Sequence, residues 1–388
     1  MAFQPDRTLS ISDDSLGAAL QKMSQKVHTL WEYAHPLWKR WSMDPHSDAG
    51  VPLKEQGVRR QVHKEIDGGN EYMQRVDYIK NNAAGRADQN ASFLTASNQQ
   101  TQTLSHARWI PRLFQGWIGV GFQDKLEIQG GPAGGYDYVK GKVENNIMSL
   151  SRHVAKALYA TGYVVDAAST PATILNLQGL MLATDATNTL MNVAADGYYG
   201  GINRITAGNE DWRGNRVTFA GPAQPSDIQN LYTQAQDGTD SPTLIVCGRS
   251  TYNIFWNMYE AKQRVLNNID PTLGKSSPLS FDGVSIMLDK TLDDADLALS
   301  TGKWYNASDG SVVVPGLTTF TAQGMYFLNE NYIEWVTWKG GSGKGGSALM
   351  LPEMNSTTNL NKVYRTVLLA ALAVGKPNRQ AVGVAISS

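Results

Sequence analysis

The 388-residue sequence lacks several features that mark common protein classes. Its one cysteine, Cys247, excludes an internal disulfide and a metal site built from cysteines. No apolar run approaches the roughly 20 residues of a membrane-spanning helix. The first residues are polar and acidic, where a secretory signal is basic and then apolar. We therefore expect synthesis in the cytoplasm and no membrane partner.

Charge is also scarce and nearly balanced. Charged residues make up 18% of the chain, against roughly 25% in ordinary soluble domains. The 34 Lys and Arg residues almost cancel the 35 Asp and Glu residues, which disfavours a protein that coats nucleic acid through its overall field. Such a surface suits extensive contact with other chains.

No motif of a catalytic, cofactor or metal site is recognisable. The six histidines have no HExxH spacing and all lie in the first 153 residues, at positions 28, 35, 46, 63, 106 and 153. The glycine-rich stretch 340–347 has Gly345 after Lys344, where a phosphate-binding loop has Ser or Thr, and is interpreted as a linker. We therefore predict a protein that is not an enzyme, with no catalytic residue, no cofactor and no metal.

Three further groups receive structural interpretations. Cys247 lies in an apolar run and is predicted to be a small buried hydrophobe. A cluster of acids without the spacing of a calcium loop is interpreted as a solvated turn; its members are Asp289, Asp293, Asp294 and Asp296. For the basic group of Arg59, Arg60, His63 and Lys64, a solvated face is favoured over a phosphate contact.

Residues 14–41 carry apolar side chains at helical spacing, interrupted at Pro36, and the stripe includes Trp31, Trp38 and Trp41. So much aromatic surface needs a partner surface. Two alternatives remain open: the stripe packs on this chain's own core, or it forms an arm that lies on a neighbouring chain.

Residues 71–79 and 104–122 read as strands, the second broken at Pro111. Of the 23 residues in 81–103, eight are Asn or Gln and eleven are Ala, Ser, Thr or Gly. A connection this long and this polar is either disordered or the tip of a projecting two-stranded arm.

Beyond this arm, periodicity predicts a long helix over 137–161, with Val143, Ile147 and Leu158 in its apolar stripe. Residues 227–236 form a second predicted helix, opened by a capping box of Ser226 and Gln229. A buried strand at 243–247 precedes a third helix at 250–262.

Further strands are predicted at 281–288 and at 325–338, where the pattern indicates two strands or a bent one. Residues 363–374 and 381–386 are predicted to form a β-hairpin or a long strand pair around the turn at 376–379.

The serial order of these elements resembles that of tailed-bacteriophage major capsid proteins with the HK97 fold, which encapsulin shells also use. The likeness is strongest in LIVCGRSTYNIFWNMYEAKQR (244–264), SFDGVSIML (280–288), GMYFLNENYIEW (324–335) and RTVLLAALAVGKPNRQAVGV (365–384).

The resemblance implies an α+β capsid fold with an N-terminal arm (1–64), an extended β-hairpin loop (65–125) and a peripheral domain with a long spine helix (126–163). An axial domain (164–355) and the return strands of the peripheral domain (356–388) complete the expected organisation. It also implies self-assembly into hexamers and pentamers of an icosahedral shell, or virion capsid, around double-stranded DNA held by weak nonspecific contacts.

In such a virion, portal and scaffolding proteins and a decoration protein are the further expected partners. The segment 81–103 has no lysine, so the covalent crosslink that some relatives form through a lysine on this loop is not expected here. The alternatives are an encapsulin-like compartment shell and a cytosolic enzyme with an unrecognised site.

Overall fold

The computed structural model describes sixteen stretches of the chain. These are residues 36–42, 62–77, 104–120, 131–159, 163–164, 173–174, 179–184, 198–204, 209–219, 224–260, 279–293, 304–305, 312–313, 325–339, 349–355 and 362–385. Within them the chain is a mixture of helices and strands, as the predicted α+β class requires. None of the helices in these stretches is long and apolar enough to cross a membrane.

Five α-helices lie in the described residues: α1 (Pro36–Ser42), α2 (Gly131–Tyr159), α3 (Leu180–Thr184), α4 (Pro225–Ala235) and α5 (Arg249–Glu260). Helix α2 starts six residues before the predicted start, inside the glycine-rich segment, and spans about 43 Å. Its predicted stripe is confirmed, since Val143, Ile147 and Leu158 are buried.

Helix α4 is capped differently from the prediction. Its N-cap is Gln224, and the reciprocal partner is Asp227, whose carboxylate accepts a hydrogen bond from the Gln224 backbone N–H at 3.0 Å. The proposed box of Ser226 and Gln229 was wrong because Pro225 takes the first helical position, which moves the cap two residues earlier.

The first large sheet has five strands. Strands β1 (His63–Ile66), β16 (Ile333–Trp338), β18 (Lys362–Val374) and β17 (Leu349–Asn355) follow one another in pairing order, and β4 (Arg112–Val120) pairs along the other edge of β18. Strand β1 runs parallel to β16, and the other pairs are antiparallel. Thus segments from both ends of the chain meet in one sheet.

The second large sheet has six strands in the order β11 (Ser280–Phe281), β12 (Val284–Leu288), β10 (Leu244–Cys247), β15 (Met325–Leu328), β19 (Ala381–Ala385) and β9 (Asn215–Phe219). Strands β11 and β12 form a hairpin rather than the single strand predicted for 281–288. Its turn needs positive φ at both central positions, and Asp282 (48°) and Gly283 (79°) supply them.

The remaining strands are short. They form four two-stranded pairs: β2 (Tyr72–Asp77) with β3 (Leu104–Trp109), β5 (Tyr163–Val164) with β6 (Thr173–Ile174), β7 (Tyr198–Tyr199) with β8 (Ile202–Asn203), and β13 (Trp304–Tyr305) with β14 (Val312–Val313). The first pair is the predicted arm, and its tip at 81–103 lies outside the described residues.

Strand β10 shows how the core is layered. All four of its residues are fully buried, as predicted. Leu244 and Val246 face the main core, which contains residues of α2 and of the five-stranded sheet, whereas Ile245 and Cys247 face a second cluster with α4 and α5. The six-stranded sheet is therefore covered on both faces, which explains its continuous apolar run.

Two short connections carry the chain directly from one large sheet to the other, β15 to β16 and β18 to β19. The predicted pair in 325–338 is confirmed, but β15 lies in the six-stranded sheet and β16 in the five-stranded one, with a 3₁₀ turn at Glu330–Tyr332 between them. Strands β18 and β19 also lie in different sheets, so the predicted hairpin at 363–386 was wrong. The turn residues at 376–379 mark a crossing instead.

Candidate functional site

The structure describes some of the residues that sequence analysis considered for chemistry. Cys247 is fully buried, as predicted, and its Sγ lies 3.8 Å from the Met287 carbonyl oxygen. The glycine-rich stretch 340–347 lies outside the described residues. Within the described residues, no three side chains of His, Cys, Asp or Glu come together as metal ligands.

The solvated-turn interpretation of the acidic cluster was wrong for Asp289. Its exposed fraction is 1%, and its carboxylate accepts hydrogen bonds from the Tyr159 hydroxyl at 2.7 Å and the Thr291 backbone N–H at 2.9 Å. Burial and the nearby Asp289 carboxylate raise the pKa of Tyr159 well above its ordinary value. Asp289 therefore ties the end of α2 to the end of β12. Asp294, Asp296 and the side chain of Asp293 lie outside the described residues.

Two members of the basic group, His63 and Lys64, lie on strand β1 and have different surroundings. The His63 ring nitrogen Nε2 lies 2.9 Å from the Thr337 hydroxyl, and burial lowers the pKa of His63, against an opposing effect of Glu65. Lys64 is exposed and donates to the Tyr72 hydroxyl at 2.9 Å. Arg59 and Arg60 lie outside the described residues.

The root of the predicted arm has the most distinctive surface of the described chain. Strands β2 and β3 pair antiparallel over six positions, from Tyr72 opposite Trp109 to Asp77 opposite Leu104. One face of this hairpin is buried through Gln74, Val76 and Ala107. The opposite face is exposed and carries Met73, Arg75, His106 and Arg108.

The buried face fixes the arm root to the body of the same chain. Trp109 packs edge-on against Tyr199 with ring centroids 4.9 Å apart, and its indole N–H donates to Gln74 Oε1 at 3.3 Å. Gly200 has a φ of 57°, and a Cβ at this position would lie 2.9 Å from the Trp109 ring. These contacts anchor the base of the predicted arm to the segment around Tyr199 and Gly200.

Strand β4 follows the arm root and alternates between buried and exposed residues. Phe114 and Ile118 point to the core, whereas Leu113 and Trp117 point outward with exposed fractions of 55% and 52%. The inner face of β4 meets α2. There Asn146 of α2 donates a hydrogen bond to the hydroxyl of Thr366, which lies on the neighbouring strand β18, at 2.6 Å. In the part of the chain that the structure describes, no strand pairs with the outer edge of β4.

Exposed apolar side chains concentrate in this region. Among the described residues, the exposed large hydrophobic side chains are Met73, Ile110, Leu113, Trp117 and Met148, and four of these five lie between positions 73 and 117. Leu113 and Trp117 lie on one face of strand β4, and exposed apolar side chains that share a face typically mark a contact with another molecule. We call the set of Met73, Ile110, Leu113 and Trp117 the arm-root surface.

A cation lies at one end of this surface. The guanidinium of Arg365, directly opposite Trp117 on β18, stacks 4.3 Å from the centre of the Trp117 ring. This cation–π contact holds the guanidinium against an indole that is 52% exposed. The arm-root surface is therefore apolar with a positively charged edge.

The short N-terminal helix α1 packs on the chain's own core. Leu37 and Trp41 each have an exposed fraction of 1% and belong to the main core cluster. At these two positions, the own-core alternative for the tryptophan stripe is correct. Trp31 and the side chain of Trp38 lie outside the described residues.

Sequence analysis missed the most buried ion pair. Arg40 and Glu330 are both 1% exposed and form a salt bridge at 2.7 Å across 290 residues of sequence. Arg40 directly precedes Trp41 in the sequence, but no local signal identifies a partner 290 residues away. The arm-root residues were recognised only as part of strands, because exposure depends on what covers them.

No protein-family model matches the chain, and no curated protein matches it. Among solved structures, the capsid asymmetric unit of cyanophage A-1(L) resembles this chain with a TM-score of 0.53 and 14% identity, over 89% of this chain and 96% of that one. The capsid of a native GTA particle has a TM-score of 0.47 and 9% identity, over 86% and 91%. The SrpI encapsulin complex of Synechococcus elongatus has a TM-score of 0.46 and 12% identity, over 83% of each chain.

The likeness to the cyanophage capsid chain is one of fold, and it extends over nearly the whole of both chains. The fold that the sequence resemblance implied is therefore confirmed in its coarse form, a mixed helix-and-sheet capsid fold.

Proposed function

We propose that this chain is the major capsid protein of a tailed bacteriophage and forms the hexamers and pentamers of an icosahedral shell around double-stranded DNA. The observation that carries the proposal is the whole-length likeness in fold to a phage capsid chain. The arm-root surface supports it independently, because a subunit of a closed shell needs apolar surface that only neighbours cover.

The proposed domains follow the fold. Residues 1–64 would form the N-terminal arm and 65–125 the extended loop rooted in β2 and β3. Helix α2, within 126–163, would be the spine. We assign 164–355 to the axial domain and 356–388 to the return strands, with three refinements. Strands β16 and β17 pair with β18 and would join the peripheral domain, whereas β19 pairs with β15 and would join the axial one.

Assembly would follow from summed weak contacts. An arm that docks on a neighbour loses conformational freedom, so a single contact is weak. In a closed shell each subunit makes several contacts at once, and each contact raises the effective concentration for the next. The near-neutral charge of the chain fits a wall that confines DNA without binding it tightly.

In this proposal the protein has no catalytic role and is located in the virion after synthesis in the host cytoplasm. Portal and scaffolding proteins, and a decoration protein, are proposed as further partners. A covalent crosslink through the arm tip is not proposed, since 81–103 contains no lysine.

The purified full-length chain tests the proposal directly. Electron microscopy and sedimentation should show closed shells of uniform size. Monomers or dimers alone at high concentration would contradict it. Shells that enclose a protein cargo and no nucleic acid when isolated from the producing cell would favour the encapsulin-like alternative.

A deletion tests the role of the arm. Removal of 81–103 should leave a soluble, folded chain that assembles poorly, because the root is anchored to the body by Trp109 and Tyr199 while the tip is lost. The matched control replaces the same 23 residues with a shuffled sequence of equal composition. Normal shells from the deletion variant would contradict an assembly role for the arm.

A further inference from the structure

The two short crossings between the large sheets, β15 to β16 and β18 to β19, occur at one place, which we call the sheet junction and define by residues 329–332 and 375–380. The two crossing segments hold each other by reciprocal hydrogen bonds. The Asn329 backbone N–H donates to Gln380 Oε1 at 2.8 Å, and Gln380 Nε2 donates to the Asn329 carbonyl at 3.2 Å. The Gly375 N–H donates to the Tyr332 carbonyl at 2.8 Å. Asn329 and Gln380 are fully buried.

Glu330 lies in this junction, and its carboxylate accepts hydrogen bonds from two separate segments of the chain. Arg40 donates through Nε to Oε1 and through Nη2 to Oε2, both at 2.7 Å. The Trp41 indole donates to Oε1 at 3.0 Å, and the Thr243 hydroxyl to Oε2 at 3.2 Å. Two of the three donor residues belong to α1, so one carboxylate joins the N-terminal helix to the junction.

Such an arrangement is not the simplest way to stabilise a fold. Taking two charges out of water costs nearly as much as their attraction returns, and apolar side chains of similar volume often serve equally well. What a bidentate pair adds is geometry, because a guanidinium fork fits a carboxylate in one plane and at one distance. The pair therefore fixes position more than it adds stability.

We propose that Arg40 and Glu330 form a latch that couples α1 to the sheet junction, so that displacement of α1 loosens both short crossings between the sheets. A displacement of α1 reaches Glu330 through Arg40 and Trp41. From Glu330 it reaches Gln380 through the adjacent Asn329. The latch is a property of the single chain and holds whether or not the chain forms a shell.

Hydrogen exchange of the full-length protein tests the coupling. In Arg40→Met, the backbone N–H groups of Asn329 and Gln380 should exchange at least about tenfold faster, which corresponds to about 1.4 kcal/mol of lost protection. Lys339→Met, which breaks an exposed ion pair with Asp67, is the control and should leave these two groups unchanged. Faster exchange in α1 alone, or an equal effect of the control, would overturn the proposal.

Coupling between two sites is reciprocal, which provides a second test. Gln380→Met disturbs the junction without touching the Arg40 or Trp41 side chains, and it should speed exchange within α1 by a similar factor. Unchanged exchange in α1 would refute the latch. If Arg40→Met does not fold, Thr243→Val removes two hydrogen bonds to Glu330, one to Oε2 and one from its backbone N–H. It should speed exchange in α1 to a smaller degree, and no change there would also refute the latch.

Discussion

The arm-root surface yields a quantitative prediction for the double variant Leu113→Ser, Trp117→Ser. About half of each side chain is exposed in the single chain, 55% for Leu113 and 52% for Trp117. Complete burial of a large apolar side chain contributes about 1.5–3 kcal/mol. Covering the remaining half of both would therefore contribute about 2 kcal/mol per subunit contact, or roughly a 30-fold change in association.

Sedimentation velocity over a concentration series measures the effect as the threshold for assembly. The double variant should need a concentration at least roughly 30-fold higher, since a closed shell sums several contacts. Thermal unfolding followed by far-ultraviolet circular dichroism should show a loss of about 2–4 kcal/mol, because nearly half of each side chain is already buried in the single chain. The stack of Arg365 on Trp117 adds about 0.5–1 kcal/mol to this loss.

The matched control is Met148→Ser. Met148 has an exposed fraction of 46%, close to those of Leu113 and Trp117, but it lies on helix α2 and does not belong to the arm-root surface. It should leave the threshold unchanged. An unchanged threshold in the double variant, or an equal shift in Met148→Ser, would refute the reasoning that assembly uses the arm-root surface.

Three further predictions concern the stability of the single chain. Gly214→Ala should destabilise it by about 1–3 kcal/mol or more in urea titration, because the new Cβ would lie 2.4 Å from the backbone of Thr184; a wild-type midpoint would contradict this. Tyr159→Phe removes the hydroxyl donor from Oδ2 of the buried Asp289 and should cost about 1–3 kcal/mol, measured in the same titration. Burial lowers the pKa of His63 below 6.5, so the folded state favours the neutral ring. The stability that this ring contributes is complete above pH 6.5 and is lost as the pH falls below it. Between pH 7 and pH 5, the unfolding free energy of His63→Gln should therefore fall less than that of the wild-type chain. An identical fall in both would exclude His63 as the cause of the pH dependence.

The elements with strong periodicity were predicted from the sequence. The stripe of α2 and the apolar run of β10 depend only on which side chains avoid water, and that information is local. Helix ends were less accurate. Helix α2 extends into the glycine-rich segment, since packing of its later turns stabilises residues that would not start a helix by themselves.

Long-range partners were not predictable from the sequence. Strands β18 and β19 have the spacing of a hairpin, yet β18 pairs within the five-stranded sheet and β19 within the six-stranded sheet. Asp289 has the composition of a surface turn, but Tyr159, 130 residues earlier in the chain, removes it from water. In both cases local preference was compatible with two outcomes, and tertiary contacts selected one.

By itself, the sequence determined the mixed helix-and-sheet class, the long helix, the fully buried strand and a polar segment at 81–103 too poor in apolar residues to form a core. These follow from local composition and periodicity, because each residue's preference for water is fixed by its own side chain. Only the tertiary structure decided that Arg40 meets Glu330 and that Leu113 and Trp117 face outward. Burial and pairing at these positions depend on segments hundreds of residues apart, and no local pattern records which segments will meet.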